Sequence, residues 1–233
     1  MLSRIILSLA LLFNFKFSQI RQTRVSSWSP VVIQSYDPTT REGFEFSLPD
    51  DLEIETISGK GNWLVGKLRQ SKDNSWAMGT LEDALGVAIE KPNQFVWNMA
   101  TVGVAWKKKD IAQYLEIHTS ADGIEVKKLN SKWDRVAKDW FLSSKLVSQK
   151  PVLKIENTVN YPGLGSHAAR ILESSGIKVG LIVSSDQSLG KCEVTGQGLV
   201  AEYTAHKFNC LTKGGNELVL KLGKDYLDYW KGR

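Results

Sequence analysis

The chain has 233 residues, a net charge of +5 and an apolar fraction of 42%. This is room for one large domain or two small ones, and the composition is globular, which excludes disordered and fibrous classes. The arginines are scattered, and lysines run together only at 107–109 and 127–128. That counts against a dedicated nucleic-acid surface and fits a negatively charged envelope or membrane surface at least as well.

The N-terminus reads as an address. Met1 to Arg4 supplies charge, and Ile5 to Phe13 is apolar apart from Ser8. Asn14 and Lys16 stop the run short of the roughly 20 residues that a membrane span needs. A signal peptide or N-terminal membrane anchor is expected over 1–20, with a buried N-terminal helix as the alternative. Arg21 to Arg24 reads as a polar tether. Cys192 and Cys210 agree with export, because an oxidising compartment lets such a pair close. Their disulfide would enclose about 19 residues, worth about 3 kcal/mol; the alternative is two buried thiols. Without a nearby histidine pair they make no zinc pattern, so no metal site is expected.

From Trp28 the chain reads as folded. Val31 to Ile33 is a strand, Asp37 to Thr40 a turn, and Phe44 to Leu48 a second strand of alternating character. Pro49, Asp50 and Asp51 punctuate, and Leu52 to Glu55 alternates again. Thr80, with Asp83 three residues on, predicts a helix from Gly79 to Leu85. Lys107 to Ile117 is a further helical stretch. Ser131 opens another helix, whose apolar face is Trp133, Val136, Ala137, Trp140 and Phe141. Eight tryptophans invite sugar stacking, but most fall at core periodicity.

The stretch SPVVIQSYDPTTREGFEFSLPDDLEIET resembles the early core of the LytR-CpsA-Psr family. Leu85 to Ile89 and Phe95 to Trp97 resemble that family's helix-to-strand passage. The resemblance implies exported, membrane-anchored phosphotransferases that move polymers from a polyprenyl-pyrophosphate carrier onto the bacterial cell wall. The departures are informative. Asp50 stands where the family has arginine, and a carboxylate repels the phosphates that a guanidinium fork would bind. Adjacent Asp50 and Asp51 would face opposite ways on a strand, so a turn is the plainer reading. A degenerate domain over 25–145 is expected, with Asp51 as the best catalytic candidate if activity survives.

Ser143 to Lys150 is polar and reads as a hinge. Beyond it, Lys150 to Gly176 is strand, loop, helix and stop. Strands follow at Ile177 to Val183 and Lys191 to Val194, then a helix through Leu199, Val200, Tyr203 and Phe208, then a strand over Glu217 to Leu222. The order βαββαβ predicts a small ferredoxin-like layer over 150–233. Gly163-Leu-Gly165-Ser-His-Ala168, with Asp186 at the end of the next strand, matches a dinucleotide fingerprint on paper. The long loop, Pro162 and the strand that follows without a crossover helix argue against it. The stretch from Ile155 to Gly165, and Val219 to Tyr226, resemble instead the two ends of the LytR C-terminal domain. That resemblance implies an envelope-associated interaction role. Asn157, Thr158, Asn160 and Tyr161 are then the binding-loop candidates. His118, His167 and His206 are isolated in sequence and read as structural.

The expectation is an α/β (α+β) protein: a reduced LytR-CpsA-Psr-like α/β domain followed by a βαββαβ unit. It would be extracytoplasmic, anchored through its N-terminal segment or secreted. Its role would be binding or scaffolding, with cell-wall glycan or an envelope protein as partner and no cofactor. One alternative is a phosphotransferase attaching lipid-linked glycopolymer to the wall, which would use Mg2+. Another is a cytoplasmic nucleic-acid-binding regulator.

Overall fold

The computed structural model describes residues 19–57, 59, 61–71, 73–91, 94–185 and 187–231. The segment expected over 1–20 lies almost wholly outside these residues, as does Asp186. Among the described residues, no helix is long and apolar enough to cross a membrane.

The first sheet is a meander of β1 (Gln22–Trp28), β2 (Val31–Asp37) and β3 (Glu42–Leu48), paired antiparallel in that order. Arg21 to Arg24 is therefore no tether. β1 is a polar edge strand whose backbone pairs with β2, and Thr23 and Ser35 share a buried hydroxyl hydrogen bond of 2.9 Å. Alternation along β2 and β3 buries Val31, Ile33, Phe44, Phe46 and Leu48 on one face. β4 (Glu53–Glu55) and β5 (Asn62–Leu64) form a short hairpin that leads into α1 (Val65–Leu68).

α2 (Asn74–Leu85) starts about two turns earlier than a cap at Thr80 would place it. The true cap is Asp73, whose Oδ1 accepts from the backbone N–H of Ser75 (2.8 Å) and Trp76 (3.1 Å). Thr80 sits mid-helix and fully buried. Gly86 ends the helix at φ +64°, the left-handed conformation that favours glycine.

α3 (Gln94–Ala100) leads to β6 (Trp106–Lys108), which joins the first sheet parallel to β3. The helix expected over Lys107 to Ile117 does not form. A 3₁₀ turn at Ala112–Tyr114 separates β6 from β7 (Leu115–Thr119), which pairs with β8 (Glu125–Leu129). Leu115 and Ile117 alternate with Glu116 and His118, a period of two that suits a strand. α4 (Trp133–Trp140) and α5 (Ser144–Ser148) follow. Trp133, Trp140 and Phe141 pack on Phe44 and Phe46 with ring centroids 5.2–6.2 Å apart, mostly edge to face. These tryptophans build core.

The second sheet contains β9 (Val152–Asn157), β10 (Lys178–Ser184), β11 (Glu193–Thr195), β12 (Leu211–Lys213) and β13 (Val219–Leu222). α6 (Leu164–Ser174) connects β9 to β10, and α7 (Gly198–Phe208) connects β11 to β12. The mixed α/β class is as expected, but the strand order is not the ferredoxin-like one. The order is β10-β9-β13-β11-β12, with β9 parallel to both neighbours and β11 parallel to β12. Each helix therefore bridges adjacent parallel strands, where the split arrangement would place another strand between them. The difference has two parts: β10 pairs directly with β9, and an added strand, β12, pairs with β11. β12 has three exposed residues, so its sequence carries no apolar alternation. Asp225 and Tyr226, just beyond the strand expected over Glu217 to Leu222, lie in α8 (Lys224–Trp230). Asp225 Oδ1 accepts from the backbone N–H of Cys192 and of Tyr226, both at 2.8 Å, which ties the first turn of the helix to the start of β11.

Two apolar clusters result. One contains the first sheet, α2 and α4; the other lies between the second sheet and its helices. Ile20 belongs to the second cluster, and Trp230 touches both. Cys192 and Cys210 are bonded, joining the start of β11 to the turn after α7. Replacing both by serine removes a loop constraint worth about 3 kcal/mol. The urea midpoint of Cys192→Ser/Cys210→Ser, compared with that of the oxidised protein, reads this loss directly.

Candidate functional site

The two clusters meet at the C-terminal half of α2, and polar groups carry the junction. Glu82 and Lys207 form a nearly buried ion pair, with side chains 11% and 8% exposed. Lys207 Nζ also donates to the Ile89 carbonyl at 3.0 Å, and Glu82 accepts from the Ile89 N–H at 2.9 Å. The next residue, Asp83, pairs with His167 of α6. Arg170, also on α6, donates to the Asp83 carbonyl at 3.0 Å and to Asp134 at 2.8 Å. Trp133 Nε1–H donates to the Leu85 carbonyl at 2.9 Å. Carbonyls of the last turn of α2 thus receive donors from α4 and α6, where a helix end leaves acceptors unfilled.

A second polar knot ties the N-terminal strands to α5. Asp37, at 0% exposure, accepts from the Ser144 N–H at 2.9 Å and lies 3.7 Å from Arg21. Arg21 Nε–H donates to the Leu142 carbonyl at 2.7 Å. The stretch from Ser143, expected as a hinge, is therefore bonded in place.

Beside the Glu82–Lys207 pair lies a cavity of about 390 Å³, within the range of small-molecule pockets. α2 contributes Ser75, Met78, Gly79 and Glu82; α7 and its cap contribute Lys207, Phe208 and Asn209. Asp225, Tyr226 and Tyr229 of α8 close it, with Ile89 and Lys91 at its side. Tyr226 is 4% exposed, and its Oη has no hydrogen-bond partner among the described residues. Burial, with the nearby Glu82 carboxylate, holds its hydroxyl well above the usual phenol range. It therefore stays a neutral donor. Glu90 keeps part of its surface, yet the surrounding protein desolvates its carboxyl and raises it above the ordinary value, against the pull of Lys207 and His206.

The sequence-predicted residues lie elsewhere. Asp51 is exposed and paired with Lys127 at 2.9 Å; its backbone carbonyl accepts from the Lys127 N–H at 3.0 Å. Asp50 is exposed beside it. Asn157 and Thr158 are buried: Asn157 Nδ2 donates to the Tyr161 carbonyl (2.8 Å), and Thr158 Oγ1 donates to the Leu222 carbonyl (2.7 Å). Asn160 is exposed at φ +49°. Tyr161 is half-buried, edge-on to Trp230, with Lys231 Nζ 4.1 Å over its ring. Gly163 takes φ +83° at the start of α6. A Cβ on Gly165 would stand 2.7 Å from Ile182, so that glycine lets the helix approach β10. Sequence reasoning missed the cavity entirely, because its walls come from segments remote in sequence. The one local signal was Asp225-Tyr226 after a glycine.

No protein-family model matches the chain. No curated protein matches it either. Among solved structures it is similar to TagV of B. subtilis, at 9% identity and a TM-score of 0.27, covering 92% of this chain and 95% of that one. The LytR-CPS2A-psr family protein YwtF (TagT) with bound octaprenyl pyrophosphate lipid gives 9% and 0.28, covering 92% and 89%. TagU of B. subtilis gives 10% and 0.26, covering 91% and 94%. The structural similarity to that family is distant, and no residue role is carried across it.

Two measurements check the junction. Lys207→Met leaves the Glu82 carboxylate buried without its partner, and should cost about 3–5 kcal/mol of stability in urea titrations. Adding Glu82→Leu should recover part of that loss. Glu90 sets a pH dependence. Its native value is raised, so its contribution is complete below the ordinary 4.5 and is lost as pH rises through the native value. Stability should fall across that window, and Glu90→Gln should flatten the fall in urea midpoint against pH.

Proposed function

We propose that this is an extracytoplasmic protein with a binding or scaffolding role at the bacterial cell wall or membrane surface. The observation that carries the reading is the Cys192–Cys210 disulfide, a bond that persists in oxidising compartments and is rare in reducing ones. The apolar run near the N-terminus and the basic net charge of +5 support the same placement. The motifs around Asn157 and Asp225, which resemble a LytR C-terminal domain, support an envelope partner: wall glycan or an envelope protein.

A binding role is favoured over phosphoryl transfer by what surrounds Asp51. Its nearest cation is Lys127, held in an exposed ion pair, and the neighbouring position is the carboxylate Asp50. The Asp51–Lys127 pair serves to dock the β7–β8 hairpin, whose Lys128 also pairs with Glu53 at 3.1 Å. The exposed part of the 157–161 loop, Asn160 with the Tyr161 ring edge, is the contact surface in this reading.

Co-sedimentation with purified sacculi tests it. The intact protein should pellet with the wall, and Asn160→Ala/Tyr161→Ala should lower the pelleted fraction several-fold. Full recovery of the unaltered protein in the supernatant sinks the wall-binding role.

A further inference from the structure

The surface where the described chain begins has features that the 157–161 loop does not use. Gln19 is fixed there, its carbonyl accepting from the Thr39 hydroxyl at 3.0 Å. Ile20 packs in the same cluster as Leu146 of α5, and the Arg21 N–H donates to Ser143 Oγ at 3.1 Å. The Ser143 carbonyl in turn accepts from the Val147 N–H at 2.9 Å. Residues 1–18 therefore join the body beside α5. Gln19 stands six residues after Phe13, the end of the apolar run, a reach of at most about 20 Å.

A continuous apolar and basic patch starts at that point. Val147, Val152 and Leu181 are 43–59% exposed. A Cβ on Gly176 would stand 2.6 Å from Val147, and one on Gly180 would stand 2.9 Å from Val152. Lys178 is the register partner of Val152, and the Lys150 N–H donates to the Val147 carbonyl at 2.9 Å. Lys145 lies two residues before Val147 on α5. The ammonium groups of Lys145, Lys150 and Lys178 have no ion-pair or hydrogen-bond partner among the described residues. Glu156, on the open face of the same sheet, already pairs with Lys154 (2.7 Å) and Lys221 (3.5 Å). Another exposed aliphatic pair, Ile117 and Ile124, is interleaved in sequence with Glu116, Asp122 and Glu125, which an anionic surface repels.

We propose that this face of α5, β9 and β10 lies against an anionic phospholipid bilayer. The three ammonium groups meet headgroup phosphates, and Val147, Val152 and Leu181 reach the acyl boundary. The apolar run at 5–13 is shorter than a membrane span, and such a run holds a bilayer weakly; a basic patch beside it adds the second attachment that stable anchoring needs. The contact stays at headgroup depth, because β10 is an edge strand whose outward backbone groups need water. The proposal rests on the envelope reading above and names the membrane surface as the partner. Sacculi hold no bilayer, so the pelleting assay and the test below fail independently.

The test is lysine footprinting of the full-length chain on vesicles, with amine acylation read by mass spectrometry. On phosphatidylglycerol vesicles the rates at Lys145, Lys150 and Lys178 should fall about fivefold, the equivalent of about 1 kcal/mol per lysine at an anionic surface. High salt should restore them. Phosphatidylcholine vesicles should leave them unchanged, and Lys127 on β8 should keep its rate throughout. Lys150→Glu/Lys178→Glu alters only exposed side chains. In that variant Lys145 should label as fast as in solution, even where the chain stays vesicle-bound through its N-terminal residues. The proposal is overturned by equal rates on both vesicle types, by protection that extends to Lys127, by a variant that still protects Lys145, or by a chain that binds neither vesicle. Protection without lipid that grows with protein concentration also overturns it, and assigns the face to a second copy.

Discussion

Glu82 and Lys207 stand 125 residues apart in sequence and meet in a nearly dry contact. Either charge alone in that place would cost several kcal/mol, so each is tolerable only when the other is in register. The pair thereby fixes how α2 sits on α7. Ile89 completes it on both sides, with its N–H on Glu82 and its carbonyl on Lys207. The chain leaving α2 is held by the same contact that holds the helices. The cavity beside it exists because that geometry is set.

The polar groups around this pair act as a set of caps. α2 ends against the second unit, and its last carbonyls accept from Trp133 and Arg170. Asp83 pairs with His167, whose ring lies against those of Tyr226 and Trp230. A junction of this kind is directional, since hydrogen bonds fail at wrong angles where apolar packing would slide. The Asp37 knot repeats the principle at the other end, where a fully buried carboxylate accepts from the start of α5 and faces Arg21. Two polar clamps thus hold two apolar cores in one arrangement.

The disulfide secures a part of the molecule that packing serves poorly. β11 and β12 are three residues each, and β12 is exposed throughout. The bond joins the ends of the segment that contains β11 and α7, limiting how far it opens when unfolded. The same segment carries Lys207 and Phe208, so stapling it also steadies one wall of the cavity.

Much of this was legible in the sequence. Alternation in β2 and β3, the apolar face of α4, the helix-ending role of Gly176 and the pairing of the two cysteines follow from side-chain period, turn chemistry and redox context. These are local or counting properties, and the mixed α/β class follows from them. The strand order of the second sheet did not follow, because β12 is too short and too exposed to show a period and because no local pattern says that β10 pairs directly with β9. The start of α2 was misplaced because Thr80 is as plausible a cap as Asp73 until the backbone N–H groups are seen to point at Asp73. The cavity and the Glu82–Lys207 pair were invisible for a different reason. A lone Glu and a lone Lys carry no sequence signal, and only the fold, bringing α2, α7 and α8 together, turns them into a buried pair beside an unmet tyrosine hydroxyl.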